Sequence, residues 1–195
     1  MAETEKHPFE PFLPAGARVL FLGSFPPQKK RWCIDFFYPN YINDFWRICG
    51  LLFYDDREHF ILPGAKRFDK DRIIEFCKHQ GIALFDTATA VRRLQDNASD
   101  KYLEITEPTD IAALLVKIPE CESIAATGQK AAEILAGHFG CELPTIGDYK
   151  AVNYRGRELR FWRMPSTSRA YPLPLEKKAE VYSRLFDSLT GRKEF

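Results

Sequence analysis

The sequence predicts an α/β fold, namely a three-layer α/β/α sandwich around a central four-stranded, mostly parallel sheet. Two observations support it: short apolar runs of strand length recur along the chain, and segments with helical periodicity separate them. Strands that alternate with helices form parallel sheets covered on both faces. A chain of 195 residues that is 45% hydrophobic suits one domain with a substantial core, so we assign residues 1–195 to a single domain.

Four apolar runs are predicted as the strands of this sheet, because each is short and ends at turn-forming residues. They cover residues 18–23, 82–86, 123–127 and 159–164. The last run follows residues 151–154, and Gly156 lies between the two segments. This arrangement predicts a hairpin that leads into the last strand.

Helical stripes lie between the strands. Apolar side chains recur at spacings of three and four residues, as expected for helices with one buried face. These stripes begin at Phe45, Ile111, Ala131 and Leu175, and a less regular helix is predicted around residues 71–79.

Composition argues against several classes of protein. The net charge of +1 disfavours binding of nucleic acid through bulk charge but leaves room for local basic loops. No apolar run approaches the ~20 residues of a membrane helix, and residues 1–7 are too polar for a signal peptide. Five cysteines form no CxxC pair, and four histidines follow no metal-binding spacing. We therefore expect a cytoplasmic monomer with free thiols, no membrane association, no metal and no cofactor.

Functional residues are expected where the strands end, because ligands of such sheets bind beyond the carboxyl ends of the strands. The first strand ends in GSFPP, a stiff loop that could present main-chain N–H groups and the hydroxyl of Ser24, although this segment taken alone favours an ordinary turn. The second ends at Asp86, which could accept hydrogen bonds from a nucleobase or could cap or pair with a neighbouring segment. The last runs into RMPSTSRAY, whose hydroxyls could bind phosphate or simply form a serine-rich loop.

An aromatic segment, FFYPNYINDFW over residues 36–46, lies between the first two strand ends. Phe36 or Phe37 could stack on a base, which contributes roughly 1–3 kcal/mol, or could belong to the core. Asn43 precedes a helical stripe, so capping of that helix is its alternative role. Basic clusters at residues 29–31, at residues 92–93 and among the arginines of residues 155–163 are candidate phosphate contacts or solvated faces.

Taken in order, these segments resemble the uracil-DNA glycosylase superfamily over residues 18–171. The segment GIALFDTATAVRRLQDNASDK (residues 81–101) is similar to the family's GVLLLN..LTVR...NSH, and RMPSTSRAY is similar to its HPSP loop. The aromatic segment resembles the HP.NRFW stretch of the mismatch-specific branch, and GSFPP takes the place of the first, water-activating loop. The GS-P and PSTS forms are closest to the hypoxanthine-DNA glycosylases.

The resemblance implies a monofunctional DNA glycosylase that acts in base excision repair on deaminated bases, uracil or hypoxanthine. The target nucleotide would be flipped out of DNA, its N-glycosidic bond broken through an oxocarbenium-like sugar, and the sugar captured by water, without a cofactor. Residue by residue, it implies a catalytic role for Asn43 and Ser24, and a base-binding role for Phe25, Phe36, Phe37 and Asp86. It implies DNA contacts by Ser166, Thr167, Ser168 and Arg169, with Arg169 or Tyr171 where a wedge would enter the duplex.

The chain also departs from the family pattern. Phe25 stands where the best-known branches carry Asp or Asn, Met164 stands where they carry the catalytic histidine, and Asp86 replaces an asparagine. A catalytically weak or inactive nucleic-acid-binding protein of the same fold is therefore the main alternative. An unrelated α/β hydrolase with a cysteine nucleophile is a third hypothesis.

Overall fold

The computed structural model describes residues 3–95 and 102–189, so the end of the 81–101 motif lies outside the described residues. The strands are β1 (Thr4–Lys6), β2 (Val19–Gly23), β3 (Ile82–Asp86), β4 (Ala88–Arg93), β5 (Leu103–Pro108), β6 (Ser123–Thr127), β7 (Asp148–Tyr154) and β8 (Arg157–Met164). The helices are α1 (Phe45–Tyr54), α2 (Lys70–Gln80), α3 (Ile111–Lys117), α4 (Gln129–Phe139) and α5 (Leu175–Ser188). Every predicted helix is present.

The central sheet has five strands in the order β3-β2-β6-β8-β7. β3, β2, β6 and β8 are parallel and correspond to the four predicted strands, while β7 is antiparallel to β8 at the edge. The predicted count of four strands is therefore wrong by one. β7 was expected only as a hairpin arm, and its side chains are exposed or half-buried, so it lacks the apolar run of an interior strand.

A second sheet, with the order β1-β4-β5 and antiparallel pairing, was not predicted. β4 begins two residues after β3 ends, and no glycine or proline separates them, so the two strands look like one continuous segment in the sequence. β1 is too polar to be recognised as a strand. This small sheet packs Ala88, Val91 and Leu103 against Phe25.

Helices cover both faces of the central sheet. On one face, Phe21 of β2 contacts Phe45 of α1 and Tyr182 of α5, with ring centroids 5.2 and 6.4 Å apart. On the other, Phe161 of β8 contacts Phe139 of α4, with centroids 5.5 Å apart. The predicted three-layer arrangement is therefore present.

One main hydrophobic cluster draws side chains from all five helices, including Ile48, Ile73, Ile111, Ala131 and Leu185. The assignment of residues 1–195 to one domain stays a prediction. Within residues 3–95 and 102–189, no helix is both long and apolar enough to cross a membrane.

Candidate active site

A cleft of about 1000 Å³ opens at the carboxyl ends of the four parallel strands. The parallel register brings the strand ends to one edge, because Gly23 pairs with Asp86 and Thr127 pairs with Met164. Three of the strand ends that the sequence singled out line this cleft, namely GSFPP, Asp86 and the loop after β8. The fold therefore brings these three segments together at one edge of the sheet, and the functional site there stays a prediction.

Asp86 lies in the wall of the cleft and is paired with a histidine. Its Oδ2 is 2.9 Å from Nε2 of His7, and the His7 imidazole is 3% exposed. Nδ1 of His7 lies 2.8 Å from the carbonyl oxygen of Phe9, and it lies 3.1 Å from the amide nitrogen of the same residue. Asp86 therefore has the charged or polar partner that the capping and ion-pair alternative anticipated, and it still faces the cleft.

The loop Gly23 to Pro27 is held by donors from three other segments. The Thr87 amide donates to the carbonyl oxygen of Gly23 at 2.8 Å, and Trp32 Nε1 donates to that of Pro27 at 2.6 Å. Arg93 Nη2 donates to the carbonyl oxygen of Pro26 at 2.6 Å. The loop is thus rigid, and both Ser24 and Phe25 line the cleft.

Of the aromatic residues, Phe25 and Phe37 line the cleft but Phe36 does not. Phe36 is buried against Phe12, Phe37 and Trp46, which places it in the core. Phe37 is itself 4% exposed and belongs to the same core cluster, so it presents only a small part of its ring to the cleft. Tyr38 joins the cleft lining instead. Its ring stacks on Phe45 at 3.9 Å, and its hydroxyl lies 3.0 Å from Oγ1 of Thr127. Burial raises the pKa of Tyr38, so its phenol stays protonated.

Asn43 lies at the start of α1 and also lines the cleft. Its Oδ1 accepts a hydrogen bond from the amide of Phe45 at 2.9 Å, whereas Asp44, the N-cap residue that precedes the helix, makes no capping bond with its side chain. Arg47 Nη1 donates to the carbonyl oxygen of Asn43 at 3.0 Å. Because Oδ1 retains a second lone pair, Asn43 can satisfy the helix and orient a water molecule together.

A buried ion pair between Lys178 and Asp44 helps to hold the loop after β8 in place. Lys178 of α5 is 1% exposed, and its Nζ donates to Asp44 Oδ2 at 2.9 Å and to the carbonyl oxygen of Ser168 at 2.8 Å. The amide of Asp44 in turn donates to the carbonyl oxygen of Thr167 at 2.9 Å. These bonds tie the serine-rich loop to the start of α1, next to Asn43.

The four predicted DNA-contacting residues differ in position. Ser166, Thr167 and Ser168 line the cleft, although Thr167 is only 4% exposed. Arg169 is outside the lining, and its Nη2 lies 3.6 Å from Asp44 Oδ1. Tyr171, the alternative wedge residue, does line the cleft.

Most of the predicted basic clusters have structural partners. Arg157 donates to carbonyl oxygens of Leu115, Ile118, Pro119 and Cys121, and Arg160 pairs with Glu122 at 2.9 Å. Arg93 binds both carboxylate oxygens of Glu5 at 3.0 Å. These three side chains hold the fold together, which removes them as free phosphate contacts.

The cysteines do not form a nucleophilic site. Cys49, Cys77 and Cys121 are buried, and burial raises the pKa of Cys121 to about 11. Burial also raises the pKa of Cys33, so its thiolate is disfavoured. Among the described residues, no three His, Cys, Asp or Glu side chains are grouped so as to hold a metal ion.

No protein-family model matches the sequence, and no similar curated protein was found. Among solved structures, the chain is similar to the solution NMR structure of a candidate uracil DNA glycosylase from Methanosarcina acetivorans. The two structures have a TM-score of 0.62 and 22% sequence identity, over 95% of this chain and 99% of the other. The chain has a uracil-DNA-glycosylase-like fold. The resemblance seen in the motifs is therefore confirmed at the level of the fold.

Sequence reasoning missed two polar residues that matter to this glycosylase-like cleft. His7 lies 79 positions before Asp86 and reaches it only because β1 pairs with β4. Lys178 stands on the buried face of α5, where helical periodicity places an apolar residue. A lysine inside an otherwise apolar stripe was the one signal that could have indicated a buried ion pair.

The close approach of Gly23 to Asp86 yields a testable prediction. A methyl group at Gly23 would lie 2.5 Å from Asp86 Oδ1, so the carboxylate has to shift, which disturbs the contact of its Oδ2 with His7. We expect Gly23→Ala to fold with a loss of about 1–3 kcal/mol in unfolding free energy and to shift the imidazole ¹⁵N signals of His7. Gly137→Ala on α4 is the control, because nothing lies within 4 Å of the added methyl. Unshifted His7 signals in Gly23→Ala would contradict the prediction.

Proposed function

We propose that the protein is a monofunctional DNA glycosylase that removes uracil or hypoxanthine from DNA in base excision repair, acting as a cytoplasmic monomer. The observation that carries the proposal is that Phe37, Asp86 and Asn43 line one cleft at the carboxyl edge of a glycosylase-like sheet. The family resemblance assigned these three residues to stacking, base binding and water orientation. Phe37 and Asn43 come from the aromatic segment over residues 36–46 and Asp86 from the end of β3, and the convergence of these two segments is what the proposed chemistry requires.

The cleft has room for a nucleotide that has been turned out of the duplex. Its volume of about 1000 Å³ accommodates a base together with its sugar. Turning the nucleotide out of the duplex costs a few kcal/mol, and stacking of its base on an aromatic ring offsets roughly 1–3 kcal/mol of this cost. Phe37 supplies that ring, and Ser166 and Ser168 lie at the rim, where their hydroxyls and amides can hold the DNA backbone.

In the reaction, the N-glycosidic bond breaks with departure of the base as an anion, and water held by Asn43 adds to the oxocarbenium-like sugar. Preorganised donors stabilise the leaving anion. The amides of Ser24 and Phe25 are suitable donors, since neither has a main-chain acceptor within residues 3–95 and 102–189. Protonation of the anion completes the release of free base and leaves an abasic site.

The alternative is a protein of the same fold that binds nucleic acid without cleaving it. Two observations favour it: Met164, at the place of the family histidine, is 1% exposed, and the first loop directs Phe25 into the cleft where relatives carry a polar residue. Neither side chain can activate water. On this alternative, lesion-bearing DNA is bound and remains intact.

A panel of end-labelled oligonucleotides tests the two functions together. Single- and double-stranded substrates carry uracil, hypoxanthine or an undamaged base at one position, and alkali cleaves any abasic site formed. We expect cleavage with uracil or hypoxanthine and none with the undamaged strand. Binding without cleavage across the panel would support the binding protein and refute the glycosylase.

Asp86→Asn is expected to raise the excision rates of uracil and of hypoxanthine alike by about tenfold, the effect of one hydrogen bond. Asparagine offers one acceptor and one donor, which suits N3–H and O4 of uracil and equally N1–H and O6 of hypoxanthine, whereas a carboxylate only accepts. The same oligonucleotide assay measures both rates. Asp110→Asn, on the surface at the start of α3, is the matched control. Unchanged rates in Asp86→Asn would exclude a role of Asp86 in base binding.

A further inference from the structure

The N-terminal segment carries an imidazole into the wall of the cleft. β1 pairs with β4, and the main-chain amide of His7 extends this pairing by donating to the carbonyl oxygen of Thr89 at 2.7 Å. The His7 ring is 3% exposed and lies among aromatic rings, with centroids 5.3 Å from Phe25, 6.2 Å from Phe37 and 4.5 Å from Phe85. The backbone and the packing together hold the ring in one orientation.

The bond from His7 decides what Asp86 offers to a ligand. Nε2 of His7 and Oδ2 of Asp86 share one proton across 2.9 Å, whichever atom carries it. In both arrangements Oδ1 is unprotonated, and an unprotonated carboxyl oxygen only accepts hydrogen bonds. Within the described residues Oδ1 has no hydrogen-bond partner, and it lies beside Gly23 in the cleft lining. The cleft therefore presents a hydrogen-bond acceptor, Oδ1 of Asp86, whether the shared proton lies on His7 or on Asp86.

We infer that His7 is a positioning residue that keeps Asp86 as a pure acceptor, so that the site selects bases whose ring nitrogen carries a proton. This inference rests on the proposed glycosylase function. Deamination creates that feature: N1 of adenine and N3 of cytosine are acceptors, whereas N1 of hypoxanthine and N3 of uracil are N–H donors. The contact thus separates uracil and hypoxanthine from their parent bases cytosine and adenine, while thymine and guanine, which also carry a ring N–H, have to be excluded by other parts of the cleft.

Loss of His7 would remove the selection for bases with a ring N–H, although the carboxylate of Asp86 would remain. A bare ring nitrogen opposite Oδ1 leaves two acceptors facing each other without water, which is unfavourable. Without His7, Asp86 can turn or bind a proton on either oxygen, and it can then donate to a bare ring nitrogen. Discrimination between the two kinds of base would fall even though the binding group remains.

Single-turnover excision of hypoxanthine and of unsubstituted purine, whose N1 is bare, provides the test. Purine also lacks the carbonyl, but that difference is the same for every variant and cancels when ratios are compared. The variants are His7→Phe, which fills the space without a hydrogen-bond donor, and His7→Gln, whose amide can still donate to Asp86. His138→Gln, at the far end of α4, is the matched control.

We expect His7→Phe to lower the ratio of hypoxanthine to purine excision by about tenfold or more, and His7→Gln to restore most of it. A merely structural role would slow excision of both bases alike, so an unchanged ratio in His7→Phe, whether or not the two rates fall, overturns the inference alone. Wild-type protein that excises neither uracil nor hypoxanthine overturns the proposed function and this inference with it, whereas wild-type protein that excises uracil and purine but discriminates against hypoxanthine overturns the inference alone. If His7→Phe does not fold in a thermal melt, His7→Leu takes its place under the same criteria.

Discussion

Asn43→Ala is expected to lower the single-turnover rate of base excision by on the order of 10²-fold, within the range for a positioned acid–base group. Asn43 lines the cleft, and its Oδ1 accepts from the amide of Phe45 at 2.9 Å, so the side chain that the proposed reaction uses to orient water is held in place. Alanine removes both the water contact and this bond. The rate is measured on the best substrate of the oligonucleotide panel.

Loss of the bond to Phe45 also weakens the start of α1, by about 1 kcal/mol, and a control has to separate the two effects. Asp69→Ala removes a comparable bond at the start of α2, where Oδ1 accepts from the amide of Arg72 at 3.1 Å away from the cleft. Both variants should melt a few degrees below the wild type, but only Asn43→Ala should lose turnover. Equal excision rates in the two variants would show that Asn43 serves the helix alone.

Lys178→Ala is expected to destabilise the protein by about 3–5 kcal/mol, the typical cost of leaving one charge of a buried pair without its partner. Lys178 and Asp44 are 1% and 8% exposed at their side chains, and Nζ also donates to the carbonyl oxygen of Ser168. Arg169, whose Nη2 is 3.6 Å from Asp44, is half-exposed and can offset only part of the loss. Urea unfolding measures the free energy.

The neighbouring Lys177 is the matched control for this prediction. Its pair with Glu180 lies on the surface, with 64% of the Lys177 side chain exposed, so Lys177→Ala should change stability little. Lys178→Ala should also lower the rate of base excision. Lys178 binds Asp44, which follows Asn43 in the chain, and Ser168, which belongs to the serine-rich loop. A Lys178→Ala protein as stable as Lys177→Ala would mean that the buried pair contributes nothing to the fold.

The main sheet and the helices were predictable because their burial requires apolar residues in a pattern that can be recognised within a short stretch of sequence. A strand covered on both faces, such as β2 or β3, is a short apolar run, and a helix such as α5 repeats its apolar residues every three or four positions. β7 and β1 lack such an apolar pattern, because β7 is an exposed edge strand and β1 is polar. Their pairing is specified by main-chain hydrogen bonds, which every residue except proline can donate.

The sequence by itself determined the α/β class, the five helices, the four parallel strands and the edge at which Asp86, Asn43 and the serine-rich loop meet. Tertiary structure alone decided that Phe36 belongs to the core, that Tyr38 lines the cleft, and that His7 and Lys178 bind the two acidic side chains. The physical reason is sequence distance: His7 and Asp86 are 79 positions apart, and Lys178 and Asp44 are 134 apart. Hydrophobic periodicity acts within a few residues, whereas a hydrogen bond between distant side chains exists only once the chain has folded.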